Sequence, residues 1–550
     1  MDGAAVDVSA EAVGVSLEAA QPSTSAPAAH PEDPEPQEEE DYDSDVVETA
    51  QWYARPKHLF VLTYAGKPVY SRHGDESLLS SKMGMLSGII SIVIDTKDSL
   101  QFFMADGIKY VFLVRGPIYL VMISRNEEHP WLIRAQLDYV YAHVIFSATS
   151  RIITLLNKSS STDIRHFLDG HEPVIERLLV ALDTQLTFML SGFTCLPMAA
   201  QLRAAVTQAV VRCRPENTLY AVVFSENLIV TFLEKKAIPL EVDDLLLLVN
   251  WCNVKLAAAA ASGVGGEGDG LQETICLPNL DTNGNVYAYT ANLMSRLSVC
   301  WISTGDGLDH MTKKRTELIG SLSEAGIIDQ LERCVGFTPV LPSSVVGAVG
   351  ASVVEMAVDT SQPRPPTMAA AIVLPGAKVK GAPRVEQEEW DWMDSSSSLF
   401  SPIVAFAPWA GYSQDLWHCL FKSAPMEQII ASGYQRFASK EEKVRLFRWY
   451  QRLYAELLGL QNGAEQSIAA AVAAGRAGGV KPRTGGGMLE HWEVNANVAM
   501  LGWTTKNFDL YCVFSPLVTY ERALEVAQFL IKTWLPREKE NLFLLCENDW

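Results

Sequence analysis

Basic residues are missing from the first fifty positions, which hold 14 Asp or Glu and neither Lys nor Arg. That start also has no long apolar run, so it fits neither a secretory signal nor a phosphate-binding arm. Cysteine is sparse: nine thiols, an odd number, are scattered with no C-x-x-C pair. Zinc ribbons, thioredoxin-type redox sites and a disulfide framework are disfavoured, and the thiols read as buried side chains of a reducing compartment. Apolar stretches such as 83–94 and 110–124 are short or broken by Arg115 and Gly116. None of these approaches the ~20 residues that span a bilayer. A Walker G-x-x-x-x-G-K-[ST], a dinucleotide G-x-G-x-x-G after a strand and a G-x-S-x-G elbow are all missing, which leaves nucleotide and acyl chemistry without a sequence basis. No cofactor is expected and no bond-making activity.

What is present is ordinary globular material. The 550 residues are 48% hydrophobic and 20% charged, enough for three or four units at about 150 residues each. The net charge of -21 shrinks to about -7 once residues 1–50 are set aside. The remainder is mixed, without the basic stripe a nucleic-acid partner requires. Residues 1–50 read as an acidic disordered tail, 339–402 as a disordered linker, and 255–271 and 464–487 as loops rich in Ala and Gly.

Between these segments one order of elements recurs three times: two strands, a helix, three strands, a helix. The first copy has strands at 59–62 and 69–71, a helix at 77–94, and strands at 102–105, 108–114 and 118–124. A long helix follows, with apolar residues from Ile133 to Leu156 at three- and four-residue steps. Asp106-Gly107 suits a tight hairpin turn. The second copy has strands at 219–224 and 228–233 after a helical connection, 163–212. A helix at 242–252, strands at 274–277, 286–290 and 298–303, and a helix at about 310–334 complete it. The third has strands at 416–422 and 427–430, then a helix from the capping box Ser439-Lys-Glu-Glu442 to Leu460. Strands at 489–494, 498–504 and 507–514 and a helix at 520–534 close the chain. The fold class is therefore α+β, with three units at 51–190, 191–338 and 403–550, each an antiparallel sheet of about five strands flanked by helices.

Three clusters invite a chemical reading and decline it on spacing. His166 and His171 with Asp169 and Glu172 flank Gly170 and Pro173, and fit a helix break rather than a metal site. Asp281 to Asn285 lacks the Gly and Glu positions of a calcium loop, so Asn283-Gly284 reads as a hairpin turn. Lys313, Lys314 and Arg315 read as a solvated helix face in preference to a lipid-headgroup patch.

Several strings carry a resemblance. KHLFVLTYAGKPVYSRHG at 57–74 and KYVFLVRGPIYLV at 109–121 resemble the first longin domain of the Mon-one vacuolar fusion family, subunits of the Mon-Ccz guanine-nucleotide exchange complex. The likeness continues through LDYVY at 137–141, CLP at 195–197 and 276–278, WHCLFK at 417–422 and FDLY at 508–511. Where relatives more often read HFLYK, this chain has HCLFK at 418–422. The resemblance implies three longin domains, which agrees with the threefold order. It implies a heterodimer with a Ccz-type subunit that promotes GDP release from a late-endosomal Rab GTPase, driving endosome maturation and vacuole or lysosome fusion. It further implies an early-endosomal Rab as upstream recruiter and a phosphoinositide-containing membrane. The place would be the cytoplasm, peripheral to the late endosome, prevacuolar compartment or vacuole. The partner-binding residues it points to are Lys67, Tyr70, Ser71, Arg72 and His73, with Ser81, Met85 and Ile89 on the next helix. The alternative is a longin-type scaffold or tether without exchange activity.

Overall fold

The computed structural model describes residues 52, 54–74, 76–159, 162–262, 270–335, 415–434, 436–437, 439–457 and 489–545. The acidic tail, the 339–402 linker and the 464–487 loop lie outside them. So do 403–414 and the last residues of the helix expected to reach Leu460.

In the first domain, β1 (Lys57–Thr63) pairs with β2 (Pro68–Ser71), and α1 (Glu76–Asp95) crosses to β3 (Phe102–Ala105), β4 (Ile108–Arg115) and β5 (Ile118–Ser124). The sheet order is β2-β1-β5-β4-β3, antiparallel throughout. The turns follow from local chemistry. Asp106 and Gly107 both take positive φ, 50° and 75°, as a two-residue primed turn needs. Gly66, at φ 75°, seats the β1–β2 turn against α1, where an added Cβ would lie 3.4 Å from that of Ser87. Ser87 Oγ also donates to the Tyr64 carbonyl at 3.2 Å.

The long helix expected through 133–156 is two: α2 (Pro130–Ala148) and α3 (Arg151–Lys158), set 89° apart. Thr149 breaks it at φ 58°, and Ser150 N donates to the Thr282 carbonyl of the second domain at 2.8 Å. A tertiary contact outweighs the helical period. The stretch 163–212 contains α4 (Glu172–Thr184), α5 (Leu186–Leu190), a strand that the sequence pattern did not suggest, β6 (Phe193–Cys195), and α6 (Ala200–Arg212).

The second domain comprises β7 (Thr218–Ser225), β8 (Leu228–Glu234), α7 (Val242–Ser262), β9 (Leu271–Ile275), β10 (Val286–Met294) and β11 (Leu297–Ser303), then α8 (Leu308–Glu324) and α9 (Ile328–Val335). Two expectations change here. The loop at 255–271 is helical through Ser262 and strand from Leu271, because its alanines are the best helix formers. The helix at 310–334 is interrupted at Gly326, φ 61°. Across Val242–Ala261, α7 is the one helix among the described residues long and apolar enough to cross a membrane, longer than any run the sequence suggested. Leu245, Leu248, Trp251 and Cys252 on it are nevertheless core residues.

The third domain comprises β12 (Leu416–Ser423), β13 (Gln428–Ala431), α10 (Lys440–Leu457), β14 (Leu489–Val494), β15 (Ala499–Thr504) and β16 (Phe508–Phe514). It ends in α11 (Tyr520–Phe529), a π turn and α12 (Leu535–Leu542). The capping box is formed: Glu442 N donates to Ser439 Oγ at 3.2 Å, and Ser439 N to Glu442 Oε2 at 3.0 Å.

All three domains share one strand order, since β8-β7-β11-β10-β9 and β13-β12-β16-β15-β14 repeat that of the first. The second and third sheets are fused. β6 lies between β8 and β13, parallel to both, and makes a single sheet of 11 strands. Gly192 permits this splice, because a Cβ there would sit 2.8 Å from Ile429 and 2.9 Å from the Glu427 carbonyl oxygen. A buried amide reinforces it: Gln428 accepts from Leu544 N and donates to Leu544 O, each at 2.8 Å, and accepts from Cys195 Sγ at 3.3 Å.

Candidate partner-docking face of the first domain

The helix that follows the second strand is covered differently in each domain. In the second, α7 shares one core with α2 and α4 of the first. In the third, α10 packs with Trp131 and Leu132 at the start of α2 and with Leu190 of α5. The counterpart in the first domain, α1, buries Leu79, Met83, Leu86 and Ile90 toward the sheet. Its opposite face has no helix over it among the described residues. Ser81 is exposed, Met85 is 60% exposed, Ile89 is half-buried and Ile92 is 67% exposed. These positions recur at three- and four-residue steps, a stripe along one side. Between them Gly84 and Gly88 leave the backbone open, with nothing within 4 Å of a would-be Cβ. An apolar helix stripe of this kind, left in water, marks an interaction site more often than a folding requirement.

The hairpin residues divide. Lys67 is exposed at the turn, its N donating to Thr63 Oγ1 at 3.2 Å. Ser71 is half-buried, its Oγ donating to the His73 carbonyl at 2.9 Å. Tyr70 belongs to the core, so its ring is not on offer to a partner. Arg72 is turned inward onto Glu176 of α4 at 2.9 Å, with Asp183 at 3.9 Å. His73 lies edge-on to His58 at 5.6 Å between ring centroids. Burial, and then the Arg72 charge, holds the His73 imidazole down to about 3, so it is neutral. Lys67, Ser81 and Met85 are thus exposed and Ile89 half-buried, while Tyr70, Arg72 and His73 support the fold beneath. Sequence reasoning stopped at Ile89 and missed Ile92 and Ile94. The signal was available: α1 is apolar on both sides, more than one sheet can bury.

Arg72 joins a charged cluster at the start of β1. Lys57 Nζ, 3% exposed, reaches Glu128 at 2.8 Å, Asp183 at 2.5 Å and Gln136 Oε1 at 2.9 Å. Burial pulls the Lys57 ammonium down, but the Asp183 and Glu128 carboxylates outweigh it and hold it above its ordinary range. Glu128 is pushed up, by burial more than Lys57 lowers it.

The rejected metal readings gain no geometry. Among the described residues no three His, Cys, Asp or Glu side chains gather to hold an ion. His171 Nδ1 bonds Ser147 Oγ at 3.0 Å, without a side-chain cap on α4, and His166 packs on Phe167. Asn283-Gly284 lies in the longer β9–β10 connection rather than a two-residue hairpin, with Asn283 N donating to Asp281 Oδ1 at 2.9 Å. Lys314 pairs with Glu317 at 2.7 Å on α8. The eight described cysteines are free thiols, seven of them buried.

Comparison with known proteins follows the same division. Residues 57–178 match the family "First Longin domain of FUZ, MON1 and HPS1", and 415–539 the corresponding third longin domain. The rice (Oryza sativa subsp. japonica) Vacuolar fusion protein MON1 homolog is 25% identical over 502 residues, 91% of this chain and 77% of its own length. The chicken (Gallus gallus) MON1 homolog A is 26% identical over 514 residues, covering 92% and 74%. The human (Homo sapiens) MON1 homolog B is 25% identical over 508 residues, covering 90% and 76%. With longin domains at both ends and relatives aligned along most of its length, the chain belongs to the MON1 family of vacuolar fusion proteins.

Proposed function

We propose that this protein is one subunit of a guanine-nucleotide exchange factor whose first longin domain pairs with a Ccz-type subunit, and that the pair promotes GDP release from a late-endosomal Rab GTPase. The observation that carries the reading is the uncovered stripe Ser81, Met85, Ile89 and Ile92 on α1, in the one domain whose counterpart helices elsewhere in the chain are covered. A second longin domain offers what the stripe lacks, a helical layer of the kind α2 and α4 lay on α7. Exchange of this sort requires no acid, base or nucleophile. The factor binds the nucleotide-free GTPase more tightly than the GDP form, and that difference lowers the barrier to release. Recruitment by an early-endosomal Rab and a phosphoinositide-containing surface, peripheral to late endosomes, prevacuolar compartment or vacuole, belongs to the same proposal.

The test is release of fluorescent GDP from the Rab with the purified pair, with each subunit alone, and with a Met85→Glu/Ile92→Glu variant. Acceleration by the pair, lost in the variant, is the expected result. Binding of partners without any acceleration would replace the reading with that of a longin-type tether.

A further inference from the structure

On the third domain one small apolar patch is left in water at the outer edge of the sheet. Leu517, in the loop before α11, is 90% exposed, and Val494, at the end of β14, is 52% exposed. On the same face of β14 as Val494, Trp492 packs on Phe514 and on Tyr520, at 6.3 and 5.8 Å between rings, and Tyr520, three residues after Leu517, is itself 37% exposed. The chain enters this domain at the same place. Asp415 O accepts from Ser515 N at 2.9 Å, and its carboxylate accepts from Arg522 Nε of α11 at 3.0 Å. Leu416, Phe514, Ala499 and Val494 form one row across four strands. At about 4.8 Å per strand, the entry point is some 14 Å from Val494.

The residues just upstream of Asp415 are outside the described set, and their sequence suits the patch. Residues 399–409 read LFSPIVAFAPW, without a single charge. From Trp409 to Asp415 is a reach of about 20 Å when extended, more than the row demands. Tethered so close, such a segment needs little intrinsic affinity to stay in place. We propose that residues 399–409 pack on the Val494–Leu517 patch, with Phe406 and Trp409 as the anchors. The inference is independent of the exchange-factor reading.

The test is hydrogen exchange on the full chain, comparing wild type, Leu517→Asp/Val494→Asp and Phe406→Ser/Trp409→Ser. Leu517 and Val494 are largely exposed, so their substitution leaves the third-domain core intact, which protection of β12 and β16 checks in the same data. In the wild type, amides of 399–409 should exchange at least about tenfold slower than free chain, and the patch variant should return them to the free-chain rate. The linker variant should in turn raise exchange at 515–519. Free-chain exchange of 399–409 in the wild type overturns the proposal. So does protection that survives the patch variant. Protection of 515–519 that survives the linker variant also overturns it: if it grows with protein concentration, the occupant is a second copy.

Discussion

Replacing Lys57 by Met isolates the buried charge cluster at the start of β1. The change keeps an unbranched four-atom stem and removes the ammonium that Glu128 and Asp183 share at 2.8 and 2.5 Å. Breaking a buried pair from one side typically costs about 3–5 kcal/mol, because the surviving charge stays desolvated. Against domain stabilities of about 5–15 kcal/mol this is a large loss. The pH dependence distinguishes it from a packing defect. Glu128 is already raised by burial with Lys57 in place, and without that cation it rises further. A carboxylate raised in the folded state favours folding at low pH, and this contribution fades as pH climbs from its unfolded value, about 4.3, through its folded one. The Lys57→Met deficit should therefore be largest near pH 8 and shrink on acidification, by up to about 1.4 kcal/mol per pH unit below the new folded pKa. The assay is urea unfolding of the full chain at pH 8, 7, 6 and 5, with Lys57→Met/Glu128→Gln/Asp183→Asn as the restored control. A deficit below about 1 kcal/mol at pH 8, or one that widens toward pH 5, refutes the reasoning.

Gly192→Ala should destabilise by about 1–3 kcal/mol, since its Cβ would meet the Glu427 carbonyl, which cannot swing aside, as well as the Ile429 side chain. Gly88→Ala, with open space around it, should instead stabilise α1 by about 0.5–1 kcal/mol; opposite shifts in Tm check both. His143 and His418 are fully buried and held down to about 3 by desolvation. A histidine depressed in the fold gives stability above its unfolded value of about 6.5 and loses it below, so each should remove about 2 kcal/mol at pH 5. His418→Gln should flatten the fall in urea midpoint between pH 7 and 5, and an unchanged slope would contradict it. Met85→Glu/Ile92→Glu should leave the Tm within about 1 °C of wild type. Burying those two side chains is worth about 2–4 kcal/mol, so affinity for a Ccz-type subunit should drop roughly 30- to 1,000-fold by titration calorimetry.

The repeated order of elements was legible because hairpin turns and amphipathic helices are set by neighbours in sequence. Asp106-Gly107 and the Ser439 capping box behave as their chemistry dictates. The misses at Thr149 and β6 are non-local. Thr149 breaks a helix that its own sequence would continue, because Ser150 is held by the 281–283 loop. β6 has only three residues and no alternation to read; both of its neighbours are distant in sequence. The 255–262 stretch looks like a linker in composition yet continues a helix anchored by its first half. In the candidate face, the family resemblance pointed to the stripe on α1 through Ser81, Met85 and Ile89. It could not tell that Tyr70, Arg72 and His73 point beneath it, since that depends on where α4 places Glu176 and Asp183.

The splice made by β6 concentrates risk in three residues. In the second and third repeats it occupies the equivalent margin of each sheet, whereas β2 keeps that margin outermost in the first. Were Phe193–Cys195 to detach, two ladders of backbone donors and acceptors would be bared together, an invitation to strand-by-strand self-association. Damage there would show itself as precipitation before any loss of the docking proposed at α1.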